Sequence, residues 1–235
     1  MQKKAVLIIV IFICALVALL GGNYYNFFKI RRIQKVYFWN GNNFEEKPFA
    51  LKQKQYSFGN NLSYENYILK DGSLAVVEDK RIVWQSPEDW QIDSFILADS
   101  NNNGVMDINL SLWKPGNFGS SKPFWTEGND MSVKNHFFIL DFVDGAVKQV
   151  WGSSNLSQPN CEFKIADVDN DGNNELVVIE GIYERNQSCS GKYVAVWKWN
   201  GWGFSNEWRS EEGNFTNLEI GKKDGNNYIL VDSFY

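Results

Sequence analysis

Histidine is almost missing from this sequence: of 235 residues, only His136 carries an imidazole. It stands in "KNHFFIL", where a strand begins among apolar neighbours, a setting for a structural side chain rather than a general base. No G-x-S-x-G elbow occurs, and the three cysteines show no C-x-x-C spacing. Serine-nucleophile, thiol-nucleophile and redox chemistry are therefore without support. Carboxylates are abundant, so the enzymatic alternative is a cell-envelope glycan-active hydrolase or lyase that works with paired acids.

Acidic residues are missing from the first 35 positions, which hold 6 of the 23 basic residues and none of the 28 acidic ones. Residues 36–235 thus carry 17 basic against 28 acidic side chains, a net charge of −11. That balance excludes nucleic acid and anionic lipid as the main partner of this part. Charge of either sign is absent from Ala5 to Gly22, a run of 18 residues behind Lys3 and Lys4. The run reaches the lower end of a membrane-spanning length and has no polar face to make it a globular helix. A cleaved signal peptide shares the charged start, but "ALLGG" offers only Leu20 and Gly22 as a small-x-small site. We read residues 1–22 as an uncleaved, single-pass signal anchor and residues 23–35 as a basic juxtamembrane linker. Tyr24, Tyr25, Phe27 and Phe28 stand where an interfacial aromatic belt would lie.

Helical periodicity is also lacking from Val36 onward. What is there is a succession of short aromatic or β-branched runs separated by "NG", "DG" and "GN", the pattern of consecutive antiparallel hairpins. "VYFWNGNNF" from Val36 and "VWKWNGWGF" from Val196 share W-N-G with Phe three residues after the glycine. Trp84, Trp151 and Trp208 each open a W-x-S that closes an apolar strand. Counting strands gives repeat units at 54–86, 93–154 and 162–210, with 215–233 and 36–48 left to join as a fourth. Repeats of this length suggest the blades of a small, all-β, β-propeller-like domain of about four blades spanning residues 36–235 and following one transmembrane helix. Its N-terminal hairpin would close the ring and remove an exposed sheet edge. An open twisted sheet or a sandwich of the same hairpins is the alternative.

"DVDNDGNNE" crowds four carboxylates into nine residues: Asp167, Asp169, Asp171 and Glu175. Like charges so close repel unless a cation sits among them. Oxygens at positions 1, 3, 5 and 9, with the carbonyl of Asn173, turn inward around one centre, and hard cations such as calcium take six to eight oxygens. "DSNNNGVMD" fits the same frame with Asp99, Asn101, Asn103, the carbonyl of Val105 and Asp107. With two carboxylates it should bind more weakly. "KKDGNNY" keeps D-G-N-N but puts Tyr228 at the ninth position. An EF-hand would need a glutamate at position 12, where Val178 and Leu110 stand in strand-like runs.

A nine-residue D-x-[DN]-x-[DN]-G-x-x-[DE] loop followed by an apolar strand resembles the FG-GAP or VCBS repeats of integrin-type β-propellers and bacterial surface proteins. The resemblance implies calcium held by the residues just named, in loops that join the first two strands of a blade. It also implies a surface binding or adhesion role, with a surface protein or glycan as ligand. The chain departs from that pattern in lacking clear F-G and G-A-P segments.

"WKPGNFGSSKPFWTEGNDMSVKNH", from Trp113 to His136, is too long for a hairpin turn. Phe118, Phe124 and Trp125 in it would make an aromatic platform for a sugar or peptide, or fold back as core. Cys161 begins the strand that enters the Asp167 loop, and the strand leaving that loop returns antiparallel toward Cys189. We therefore expect a Cys161–Cys189 disulfide, which only an oxidising compartment maintains. Lys29, Arg31, Arg32 and Lys35 behind the apolar run favour a cytoplasmic domain by the positive-inside rule. The early apolar run, the calcium-suited loops and the expected disulfide favour the outside, and we expect a cell-membrane protein with its C-terminal domain extracytoplasmic.

Overall fold

Local alternation and turn chemistry dictate sixteen strands in the computed structural model, which describes residues 32–47, 63, 64, 66–118 and 127–235. β1 (Arg32–Trp39) and β2 (Phe44–Glu46) come first. Next are β3 (Ser63–Tyr64), β4 (Tyr67–Lys70), β5 (Ser73–Glu78) and β6 (Arg81–Gln85). β7 (Gln91–Ala98), β8 (Asp107–Pro115), β9 (Val133–Val143) and β10 (Ala146–Gly152) follow. Then come β11 (Asn160–Ala166), β12 (Glu175–Tyr183), β13 (Cys189–Trp199) and β14 (Phe204–Arg209), and last β15 (Phe215–Lys223) and β16 (Asn226–Phe234). The expected anchor, residues 1–22, lies outside the described residues, as does most of the linker, whose last four residues open β1. Among the described residues no helix is long and apolar enough to cross a membrane.

The strands form four antiparallel sheets of four: β3-β4-β5-β6, β7-β8-β9-β10, β11-β12-β13-β14 and β15-β16-β1-β2. Each of the first three is a run of consecutive hairpins. The fourth takes two strands from each end of the described chain, as the hairpin count required. Among the described residues no closed barrel forms. The sheets belong to one compact unit, Ile33–Ser233.

The second strand of a sheet is covered on both faces. β8 and β12 are buried along nearly their whole length; β12 reads as an apolar run for that reason, whereas β8 alternates, burying Asp107, Asn109 and Ser111 between Ile108, Leu110 and Leu112. Alternate residues then feed two different cores. On β9, Phe138 and Leu140 pack with Leu69, Leu74 and Val76 of the first sheet. Their neighbours Phe137 and Ile139 pack with Phe163, Leu176 and Val178 of the third. On β12, Val177 and Ile179 turn the other way, toward Tyr37, Phe215 and Ile229 of the fourth. Successive sheets therefore pack face to face in chain order.

The fourth strands carry a repeated irregularity. Trp84 pairs with Val76, Trp151 with Ile139 and Trp208 with Val196, and in each case the register slips by one residue just before the tryptophan. These β-bulges re-aim the indole. Trp151 meets Phe204 of the third sheet at 5.4 Å between ring centroids, and Trp208 meets Phe44 of the fourth at 5.3 Å. The two W-N-G hairpins are equally alike: Trp39 pairs with Phe44 and Trp199 with Phe204. In each, the asparagine side chain caps the turn, Asn40 accepting from Asn43 N at 2.8 Å and Asn200 from Gly203 N at 3.1 Å.

Candidate metal centre and its surroundings

Both acidic loops join the first two strands of a sheet, β7 to β8 and β11 to β12. Their backbone is one design. Asp99 takes the N–H groups of Asn103 and Gly104 at 3.0 and 2.8 Å. Asp167 takes those of Asp171 and Gly172, both at 3.1 Å. Asn101 and Asp169 each accept from the fifth position, and Asn103 and Asp171 each accept from the seventh. The fourth position is left-handed in both, Asn102 at φ 57° and Asn170 at φ 64°, and the sixth is a glycine at φ 86° or 93°. Asparagine tolerates that region and glycine has no Cβ to oppose it. The two loops lie against each other through Asn102 and Asn174.

Inside the loops the likeness ends. Asp167, Asp169 and Glu175 bring one oxygen each within 4.8 Å of one another. Glu175 is fully buried; its Oε2 accepts the Val168 N–H at 2.9 Å, while its Oε1 has no hydrogen-bond partner. An unpartnered buried carboxylate oxygen is costly. Burial, opposed by the Val168 N–H and reinforced by Asp169, pushes the Glu175 carboxyl up to about 7. The donor set is oxygen alone, which suits a hard cation, and the orphan Oε1 marks a place for one. These three residues fit a metal ion.

Asp171, expected as a fourth ligand, turns instead to Lys198 on β13, whose ammonium lies 2.9 Å from Asp171 Oδ2 and also pairs with Asp169. Hydrogen bonding to Lys198 holds the Asp171 carboxyl below the usual range. Burial would lower Lys198, but its bonds to Asp169 and Asp171 raise it well above an ordinary lysine. Lys198 was not evident in the sequence. The signal lay in register: Leu176 pairs with Trp197, so the next residue along each strand sets Glu175 beside Lys198. Asn173, expected to offer a carbonyl, is exposed and donates its own N–H to Asp171 at 2.8 Å.

The Asp99 loop satisfies itself. Asn101 Nδ2 donates to Asp107 Oδ2 at 3.0 Å, a bond that Asp169 in the other loop lacks the hydrogen to make. Asn103 and Val105 complete the turn on its solvent side. In the register position of Lys198 stands Asp141, since Ile108 pairs with Leu140. Burial, then the charges of Asp141 and Asp99, push Asp107 up to about 6.

Cys161 and Cys189 are joined, with Cα atoms 5.6 Å apart. Cys189 pairs across β12–β13 with Tyr183, whose ring meets Trp113 edge-on at 5.5 Å. The segment after Trp113 therefore leaves the sheet beside this link. Phe118 is half-buried, and its carbonyl takes the Lys114 ammonium at 2.8 Å; Phe124 and Trp125 lie outside the described residues. His136 is fully buried, with Nδ1 3.1 Å from Ser153 O, and burial lowers it to about 4. It is a neutral packing residue. Set against known proteins, the chain matches no family model, no curated protein and no solved structure.

Proposed function

We propose that this chain is a calcium-stabilised, four-bladed β-propeller-like binding domain, held outside the cytoplasm by the apolar segment at residues 5–22, and that it engages a surface protein or glycan. The observation that carries the reading is the cluster of Asp167, Asp169 and the buried Glu175, whose Oε1 has no hydrogen-bond partner. Calcium suits such a site because its oxygen shell is large and tolerant of irregular spacing. Four successive face-to-face sheets, with the N-terminal hairpin completing the last, support the blade arrangement and the likeness to FG-GAP or VCBS repeats. The Cys161–Cys189 link supports an extracytoplasmic place.

Thermal melting in calcium, magnesium or chelator tests this reading. Calcium should raise the melting temperature well above the chelated value, because a ligand at a hundredfold excess over its dissociation constant adds about 2.7 kcal/mol. Glu175→Gln should remove most of that rise. Equal melting in calcium and chelator would end the calcium claim.

A further inference from the structure

The interfaces between successive sheets follow one plan, and one of them departs from it. In each, the bulge-aimed tryptophan of one sheet faces the third and fourth strands of the next. On the fourth strand there, Phe204, four residues before the bulged Trp208, pairs with Trp199, and Phe44 of the fourth sheet likewise pairs with Trp39. Two residues before the paired tryptophan stand Trp197 and Tyr37. In the second sheet the same positions hold Val147, paired with Phe142, and Leu140. Two large rings are thus replaced by small aliphatic side chains. Among the described residues that space is open: the cleft between the first and second sheets measures about 710 Å³, against about 140 Å³ for the cavity between the second and third. Small-molecule sites fall at roughly 300–1,000 Å³.

Leu140 and Val147 line this cleft together with Trp84, Trp90 and Phe118. Both indoles are half-buried, and Trp90 is braced edge-on by Phe138 at 5.2 Å. The rim adds two amides, Gln85 and Gln149, one carboxylate, Asp89, and one ammonium, Lys148. The remaining cation, Lys114, is committed to the carbonyls of Pro115, Gly116 and Phe118 at 2.7–3.0 Å. Asp89 and Lys148 offset each other, which leaves the lining one positive charge, that of the carbonyl-held Lys114, and no paired cluster that would select an ion.

The occupant must therefore present flat apolar patches to indoles and groups that both donate and accept to amides. A sugar ring does both, with a C–H face on one side and hydroxyls around its edge. A peptide strand is disfavoured by the edges it would have to extend. β6 and β10 are edge strands, and each is broken by its bulge at this cleft, between Ile82 and Trp84 and between Gln149 and Trp151. A bulge interrupts the ladder that an added strand continues.

Resting on the reading of this domain as a surface binding module, we infer that the cleft between the first and second sheets binds a neutral oligosaccharide, its rings stacked on Trp84 and Trp90. The test uses the full chain in detergent with calcium, titrated with cello-, chito-, xylo- and manno-oligosaccharides of six units and followed by calorimetry. At least one should bind. Val147→Phe, which refills the cleft as the other interfaces are filled, should weaken binding roughly tenfold or more without lowering the melting temperature. Trp90→Ala should weaken it similarly, and Trp202→Ala, at an exposed indole on another hairpin, should leave it unchanged. Absence of binding to all four sugars overturns the proposal, as does binding that survives Val147→Phe and Trp90→Ala or is lost in Trp202→Ala. Calcium-dependent melting of the same samples separates this failure from that of the wider reading, which falls only if calcium is without effect.

Discussion

The backbone N–H of Asn174 donates to Asn102 Oδ1 at 2.7 Å, across 72 residues of sequence. Asn102 returns the bond from its amide to Asn174 O at 3.1 Å, and Asn174 Nδ2 reaches Asp99 O at 2.9 Å. The next loop repeats the grip. Asn227 N meets Asn170 Oδ1 at 3.1 Å, and Asn227 Nδ2 donates to Asp167 O at 2.5 Å. The fourth position of one loop thus holds the eighth position of the next, and three sheets are pinned loop to loop through asparagine.

Replacing Asn174 by alanine should loosen the second sheet from the third. Its side chain supplies one bond to a partly buried carbonyl, so a loss of about 1–2 kcal/mol is expected. Urea unfolding of Asn174→Ala and of the exposed control Asn173→Ala would measure it. Equal stability of the two variants would show that the Asn174 side chain contributes nothing to the grip.

Lys198 occupies the charge cluster that calcium would enter. Lys198→Met should therefore do two opposite things: lower the stability of metal-free protein, because Asp169 and Asp171 lose their ammonium, and tighten calcium binding, by about tenfold. Calorimetric titration with calcium reads the second effect and melting in chelator the first. A variant that binds calcium no better than the wild type would show that Lys198 does not compete.

Without metal, stability should fall as pH rises. The Glu175 carboxyl titrates near 7 in the fold against 4.5 ordinarily, so the folded state holds the proton more tightly than the unfolded one. Its contribution is fully present below about 4.5 and is lost as pH passes through 7, on the order of 3 kcal/mol. Asp107, raised to about 6, adds a change of the same sign at lower pH. In calcium the ion replaces the proton, so the gap between calcium and chelator curves should widen over this window. Melting from pH 4.5 to 7.5 in chelator checks the sign, and Glu175→Gln should flatten most of the slope.

Reducing Cys161–Cys189 should destabilise the third sheet. The link closes a loop with a sequence separation of 28, worth about 3–4 kcal/mol in the chain-entropy model. Mass mapping of native protein without reductant should find the cross-link. Two free thiols would remove both the bridge and the main support for an outward-facing domain.

Much of this was legible because it is local. W-N-G-x-x-F, the nine-residue acidic frame and the W-x-S closures each specify a turn or bulge within a few residues, and their spacing marked out the four sheets. What was not legible depends on register between strands distant in sequence. Lys198 and Asp141 meet the loops only across β12–β13 and β8–β9, and no spacing rule names them. The grip of Asn170 on Asn227 needs two sheets already side by side. The cleft is defined by what Leu140 and Val147 are not, which shows only once the equivalent positions of the other sheets are known to be filled.

The fourth sheet, assembled from β15, β16, β1 and β2, has a consequence for birth of the molecule on the ribosome. β1 and β2 are made first, yet β16, which lies beside β1, comes last. At a synthesis rate of 5–20 residues per second, the interval between Glu46 and Phe234 is about 10–40 s. Throughout it the edge of β1 is a row of unsatisfied amides and carbonyls, open to a neighbouring nascent chain. Arg32 and Lys35 on that strand, and Lys47 just past its partner, are the kind of charged residues that discourage such pairing while the closing strand is still being made.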